Sequence, residues 1–137
     1  MATKLNPYLN FRDNAREAME FYQSVFGGDL TMTTYEEFQM GDPGEGHKLM
    51  HAQLITPSGF TLMGADTPNR MEFSPGTSFT VSLSGDDEEE LTGYWNALIE
   101  GGTVGEPLTK APWGDSFGMG SDRFGVPWMV NIAGSAA

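Results

Sequence analysis

The chain has 137 residues, no cysteine, and a formal net charge of -12 from 7 Lys+Arg against 19 Asp+Glu. One domain of this length, or two small halves sharing a core, folds without staples, and zero cysteines exclude disulfides, thiolate metal sites and thiol nucleophiles. The acid excess repels phosphate backbones and anionic membranes, and no apolar run approaches about 18 residues, so no nucleic acid and no membrane is expected as a partner and a cytoplasmic protein is.

Residues 5–11 (LNPYLNF) alternate as a strand, with Pro7 near its start. Asp13 and Asn14 offer cap chemistry for a helix over residues 15–26. Ala18, Phe21, Tyr22 and Val25 form its apolar face, and Gly27-Gly28 stops it. Strands are predicted over residues 30–38, 48–56 and 60–65, with a loop at 41–46 and a turn at Pro57-Ser58-Gly59. Residues 67–76 hold two prolines and little periodicity, and read as a linker.

The second half repeats the order. A strand over 78–83 is followed by Asp86-Asp87, which caps a helix through Ile99 with Leu91, Tyr94, Trp95 and Leu98 on its buried face. Gly101-Gly102 ends that helix, and strands follow over 104–108, 116–121 and 128–132. Phe21-Tyr22 begins eight residues after Asp13, and Tyr94-Trp95 begins eight after Asp86. The expectation is an α+β chain of two βαβββ modules, residues 1–66 and 77–137, each too small to bury its sheet alone.

The residues that carry a resemblance run through nearly the whole chain. They are Pro7-Tyr8-Leu9, Asn14 to Ala18, Phe21-Tyr22, Val25 to Gly28, Met50-His51-Ala52, Leu62-Met63, Ala65-Asp66 and Trp113. Phe117-Gly118-Met119, Asp122 to Val126 and Trp128 to Asn131 complete the set. With two βαβββ units, the chain resembles the vicinal oxygen chelate superfamily, which includes glyoxalase I, bleomycin-resistance proteins and extradiol dioxygenases. Within it the chain is most similar to the PhnB-like branch. The resemblance implies a single glyoxalase-like domain whose eight strands form a curved mixed sheet around a cup, with the helices outside and two chains associating. It also implies, in metal-dependent relatives, His or Glu at four cup positions, one on the first strand and one on a later strand of each module.

Alternation sorts the side chains. On the third strand Met50, Ala52 and Leu54 form the helix face, leaving Leu49, His51, Gln53 and Ile55 for the cup. On the last strand Trp128, Val130 and Ile132 face the helix and Met129 and Asn131 face inward, while Phe79, Val81 and Leu83 form the apolar set of the strand over 78–83. By the resemblance, the four ligand positions are Asn6 or Pro7, His51, Ser78 or Phe79, and Met129. A zinc or iron site needs about three strong donors, and this set supplies one. His47 and His51 share the spacing of a zincin helix, but Lys48 stands where that motif needs Glu and the segment alternates as a strand.

Other motifs resolve to structure. Gly118-Met119-Gly120 lies between strands, not at the opening of a helix, which argues against a dinucleotide or common S-adenosylmethionine loop. The acidic run over residues 85–90 reads as helix capping.

The expected protein binds a small organic molecule through Tyr8, His51, Gln53, Thr80, Trp113, Met129 and Asn131, with no native metal and no other cofactor, and forms a homodimer. The alternative is a superfamily enzyme of lyase, isomerase or dioxygenase type. It would use His51, the one catalytic candidate, as general base or ligand hydrogen-bonder, with or without a divalent metal.

Overall fold

A computed structural model describes residues 3–41, 43–69, 71–73 and 78–134. The chain divides into two units, Met1–Pro75 and Gly76–Ala137. The first contains β1 (Tyr8–Phe11), α1 (Ala15–Phe26), β2 (Asp29–Thr34), a 3-10 turn (Glu36–Phe38), β3 (Leu49–Ile55) and β4 (Thr61–Asp66). The second contains β5 (Val81–Gly85), α2 (Glu88–Ile99), β6 (Thr103–Lys110), β7 (Ser116–Ser121) and β8 (Pro127–Ile132). Each unit is thus βαβββ. Among the described residues the eight strands pair as two four-stranded mixed sheets, in the orders β1-β4-β3-β2 and β5-β8-β7-β6. In each, the first strand runs parallel to the last and the remaining pairs are antiparallel.

Helix α1 buries Ala15, Ala18, Met19, Tyr22 and Phe26, spaced by three and four. Phe21 and Val25, expected on that face, are half-buried. The sheet meets the helix with Leu9, Phe11, Ala52, Leu54 and Leu62, all buried. Gly64 sits among them because a Cβ there would lie 3.2 Å from Met19 Sδ and 3.1 Å from the Leu9 carbonyl oxygen. The expected Asn14 cap makes no side-chain hydrogen bond. Its place is taken by Asp66 at the end of β4, whose Oδ1 accepts from the Ala15 amide at 3.0 Å and whose Oδ2 accepts from the Leu49 amide at 2.9 Å.

Two further expectations change in this unit. The strand predicted over 30–38 stops at Thr34, where Thr34 and Glu37 exchange hydrogen bonds (Thr34 N to Glu37 Oε2 at 2.9 Å, Glu37 N to Thr34 Oγ1 at 3.3 Å). That reciprocal pairing is a capping box, and it starts the 3-10 turn. Leu49, assigned by alternation to the side of His51, is 1% exposed with Ala52 and Leu54. The register explains it: Thr33 pairs with His51 and Thr34 with Leu49, so Met50 is an extra residue and a β-bulge reverses the facing before it.

In the second unit Leu91, Trp95, Val130 and Ile132 form the buried cluster, with Leu83, Tyr94, Ile99 and Leu108 packed against it. Asp87 caps α2, its Oδ1 accepting from the Glu90 amide at 3.0 Å. Tyr22 and Trp95 are each the eighth residue of a 12-residue helix, and both are buried. The glycine before the second strand of each unit is also equivalent. A Cβ on Gly28 would collide with the Ile55 carbonyl, and one on Gly102 with the Ser121 carbonyl. Phe79 stays exposed because it precedes β5 and joins no strand. Asp122 closes the β7–β8 turn, accepting from the amides of Phe124 (2.8 Å) and Val126 (3.1 Å) and from Trp128 Nε1 (2.9 Å).

The stretch after β4 packs on the first unit. Thr67 N donates to the Phe11 carbonyl at 2.6 Å, and Arg12 Nη2 donates to the carbonyls of Pro68 and Met71 while its guanidinium lies 5.5 Å from the centre of the Phe73 ring. Beside it the buried Lys48 ammonium meets Glu45 Oε2 at 2.6 Å, Asp13 Oδ1 at 2.7 Å and Asn69 Oδ1 at 3.2 Å. These contacts hold the Asp13 and Glu45 carboxyls below the usual range and push the Lys48 ammonium up.

Asp66→Ala should cost about 2–6 kcal/mol in urea unfolding, since it orphans two buried amides at roughly 1–3 kcal/mol each; a loss under about 1 kcal/mol would contradict the anchoring role. The Lys48 cluster sets a second expectation. Depressed carboxyls contribute stability that is present above about pH 4 and lost as pH falls through their folded values. The raised Lys48 contributes stability present below about pH 10.5 and lost at higher pH. Lys48→Met should lower the thermal midpoint at pH 7 and flatten its fall on the acid side, as followed by circular dichroism.

Candidate functional site

The face of the first sheet that carries Tyr8 and His51 is built by register. Tyr8 pairs with Met63, Met63 with Gln53, and Gln53 with Thr31, giving one row across all four strands. In the adjacent row Asn10 pairs with Ala65 and His51 with Thr33. The Tyr8 hydroxyl lies 3.3 Å from His51 Nδ1, with the rings 5.8 Å apart and inclined by 33°. Burial, with a smaller contribution from Tyr35, pushes the Tyr8 phenol up, so it keeps its proton at neutral pH. None of the four strands contains Lys or Arg. With Asp29 paired to Ile55 in the row beyond Gln53, the face offers a phenol, an imidazole, two amides, hydroxyls, a thioether and one exposed carboxylate, and its strands bring no cationic group.

The second unit has a corresponding face. Ser82 pairs with Met129, Met129 with Met119, and Met119 with Glu106; in the next row Ser84, Asn131, Phe117 and Thr109 align. Asn131 Nδ2 donates to Asp115 Oδ2 at 3.3 Å, and Asp115 Oδ1 accepts from the Gly134 amide at 2.9 Å. Thr80 is half-buried just before β5. Trp113 is 72% exposed on the turn closed by the Gly114 amide and the Ala111 carbonyl. A cleft of about 500 Å³ opens elsewhere on this unit, where Asp86, Glu88, Lys110 and Ser116 meet the backbone of Gly134.

The structure thus brings Tyr8, His51 and Gln53 onto one face, and Met129 and Asn131 onto another. It does not give His51 and Met129 equivalent places. Met129 lies on β8, whose counterpart is β4, and there the matching residue is Met63; His51 lies on β3, the counterpart of β7. The first-and-last-strand pairs are therefore Tyr8–Met63 and Ser82–Met129. Neither pair, a phenol with a thioether or a hydroxyl with a thioether, is a good donor set for a divalent ion. Nor do three or more His, Asp or Glu side chains group in a metal-holding arrangement among the described residues. The residues present do not fit the metal of the resembled enzymes. His47 precedes β3 and is exposed, so it forms no helical pair with His51.

Sequence reasoning found the candidate strands but missed the Tyr8–His51 hydrogen bond and the place of Met63 in the row with Tyr8 and Gln53. Met63 was signalled by the alternation of residues 60–65. The Tyr8 contact was not, because it joins residues 43 apart whose strands are not neighbours.

Comparison with known proteins gives the following. A family model described as 3-demethylubiquinone-9 3-methyltransferase matches residues 3–131. The chain is similar to the solved protein PA1353 from Pseudomonas aeruginosa, with 38% identity, a TM-score of 0.85, and coverage of 96% of this chain and 98% of that one. A PhnB protein from Bacillus cereus is 28% identical at a TM-score of 0.77, covering 96% and 100%. A glyoxalase/bleomycin resistance protein/dioxygenase family enzyme from Burkholderia phytofirmans shares the fold at a TM-score of 0.62 with 15% identity, covering 93% and 96%.

The Tyr8 environment can be checked directly. In an alkaline titration followed by phenolate absorbance, the difference between wild type and Tyr8→Phe should isolate a phenol ionising above about pH 10, the ordinary tyrosine value. A difference curve centred at or below that value would contradict the raised phenol.

Proposed function

The chain belongs to the 3-demethylubiquinone-9 3-methyltransferase family, the PhnB-like branch of the glyoxalase/bleomycin resistance/dioxygenase superfamily, and from that premise we propose that it binds a small, uncharged organic molecule without a metal. The observation that carries the reading is the hydrogen-bonded Tyr8–His51 pair, flanked by Gln53 and Met63 on a sheet face without Lys or Arg. Apolar bulk beside a few convergent polar groups is the usual make-up of a ligand surface. An anionic ligand would meet no counter-charge there, and the net charge of -12 would repel it. The corresponding face of the second unit, with Thr80, Met129 and Asn131, belongs to the same proposal, as does the exposed Trp113.

Fold membership alone does not carry the methyl transfer in the family's description. Gly118-Met119-Gly120 lies inside β7, hydrogen-bonded to β6 and β8, and forms no glycine-rich loop at a helix start. The alternative of a metal-assisted enzyme acting through His51 lacks the donor set.

The proposal extends to assembly and location. Edge strands need cover, and a second copy of the chain provides it in the proposed homodimer. A cytoplasmic location is consistent with the absence of cysteine, and no helix among the described residues is long and apolar enough to cross a membrane.

Titration with an uncharged naphthalene fluorophore tests the reading. Tyr8→Ala or His51→Ala should weaken binding about 2- to 12-fold, the worth of one aromatic or hydrogen-bonding contact. Ser24→Ala on the exposed side of α1, and addition of EDTA, should leave it unchanged. Binding abolished by EDTA, or unchanged in both face variants, would overturn the proposal. Light scattering on the same sample should give twice the 14.9 kDa chain mass; a single chain mass would refute the dimer.

A further inference from the structure

The Tyr8–His51 contact fixes more than a place on the sheet. A histidine ring has two nitrogens, and the hydrogen bond made by one decides which carries the proton. Here the partner of Nδ1 is a phenol at 3.3 Å. Two polarities are open to such a pair. Either the phenol donates to a bare Nδ1, or Nδ1–H donates to the phenol oxygen. Imidazole nitrogen is a far stronger base than a phenol oxygen, and a phenol is a better donor than a neutral imidazole N–H. The phenol-to-imidazole direction therefore matches the better donor with the better acceptor. Tyr8 also retains its proton at neutral pH, so the donor is always charged with its hydrogen.

We propose that Tyr8 is a positioning residue that holds His51 as its Nε2–H tautomer, so that the sheet face presents a hydrogen-bond donor and takes an apolar molecule carrying an acceptor oxygen, such as a ketone or amide carbonyl. This rests on the binding reading above and names the ligand class for the same site. A ring nitrogen that already carries hydrogen cannot take a proton from a substrate. Nε2 is then no general base, and His51 recognises oxygen instead of abstracting a proton. The neighbours agree with that selection: Gln53 in the adjacent row supplies a further N–H donor, and Met63 beside it in the same row supplies apolar contact. With no Lys or Arg on the four strands, an oxygen that is neutral and polarised fits better than a carboxylate or phosphate.

The experiment has two readouts. Long-range nitrogen–proton NMR on histidine-labelled protein at pH 8 reports the tautomer with no ligand present. The expected wild-type pattern is a bare Nδ1 and a protonated Nε2 at His51, and Tyr8→Phe should raise the Nδ1–H fraction while the rest of the spectrum stays folded. Acetophenone and ethylbenzene then serve as probes of nearly equal shape that differ in the carbonyl. Acetophenone should bind wild type about 2- to 12-fold more tightly, the worth of one hydrogen bond, and shift the His51 Nε2 resonance. Tyr8→Phe should bring that ratio towards one, whereas His51→Gln, which restores an N–H donor at a similar reach, should keep it above one. An Nδ1–H tautomer in wild type overturns the proposal. Equal binding of both probes to this face also overturns it but leaves the small-molecule reading standing. If neither probe perturbs the face up to its solubility limit, both readings fail.

Discussion

The carboxylate of Asp66 is the constraint on which the first unit depends. It is buried, and each oxygen accepts a backbone amide from a different element, Ala15 at the start of α1 and Leu49 at the start of β3. Its own carbonyl accepts the Tyr35 hydroxyl at 3.3 Å. One residue at the end of β4 therefore sets where the helix begins, where its neighbouring strand enters the sheet, and where the chain beyond β2 lies. A buried carboxylate is tolerable only when such donors surround it. The tyrosine and histidine of the candidate site lie on the same sheet, Tyr8 on β1 beside β4 and His51 on β3 beside β4. Their 3.3 Å contact is a consequence of how the strand between them is held.

The two units repeat a scaffold without repeating its fastenings. What recurs is geometric: a 12-residue helix with a buried aromatic at its eighth position, and a glycine before the second strand that leaves room for the carbonyl of the neighbouring strand. What differs is chemical. Helix α1 is capped from a distant strand, whereas α2 is capped by the adjacent Asp87. The second unit spends its buried carboxylate, Asp122, on the β7–β8 turn and on the Trp128 indole. Backbone close approach permits few substitutes, because no side chain fits where a carbonyl already is. Polar anchoring can be supplied from several directions, so two copies of one plan can diverge in it freely.

Periodicity made most of this legible. The helix over 15–26, the strands, the alternation of Trp128, Val130 and Ile132, and the duplicated order all follow from spacings that local geometry imposes. Where the reading failed, the cause was a hydrogen bond that spacing does not encode. Residues 35–38 carry strand-like aromatics, yet Thr34 and Glu37 close on each other and turn the chain. Leu49 obeys alternation until the bulge at Met50 inserts one residue. Asn14 has the composition of a cap, but a carboxylate 51 residues away reaches the Ala15 amide. The candidate site was legible to the same degree. Alternation put His51 and Gln53 together, while the counterpart of Met129 in the first unit, Met63, was not legible because matching positions across a repeat depends on which strands pair, and pairing is a tertiary fact.

The chemistry open to His51 follows from what surrounds it more than from what it is. An imidazole beside carboxylates, or beside other imidazoles, is drawn toward a charged or metal-binding role. On this sheet its partner is a phenol that keeps its proton, and the strands around it bring threonine, glutamine, asparagine and methionine, with one exposed carboxylate, Asp29, two rows away. The phenol, amides, hydroxyls and thioether are all uncharged. They arrange neutral donors beside apolar surface, the combination that distinguishes one uncharged molecule from another by where its oxygen lies. The pairs at the first and last strands of each unit, Tyr8 with Met63 and Ser82 with Met129, are likewise uncharged, so the selectivity proposed above has to come from hydrogen-bond direction and not from charge.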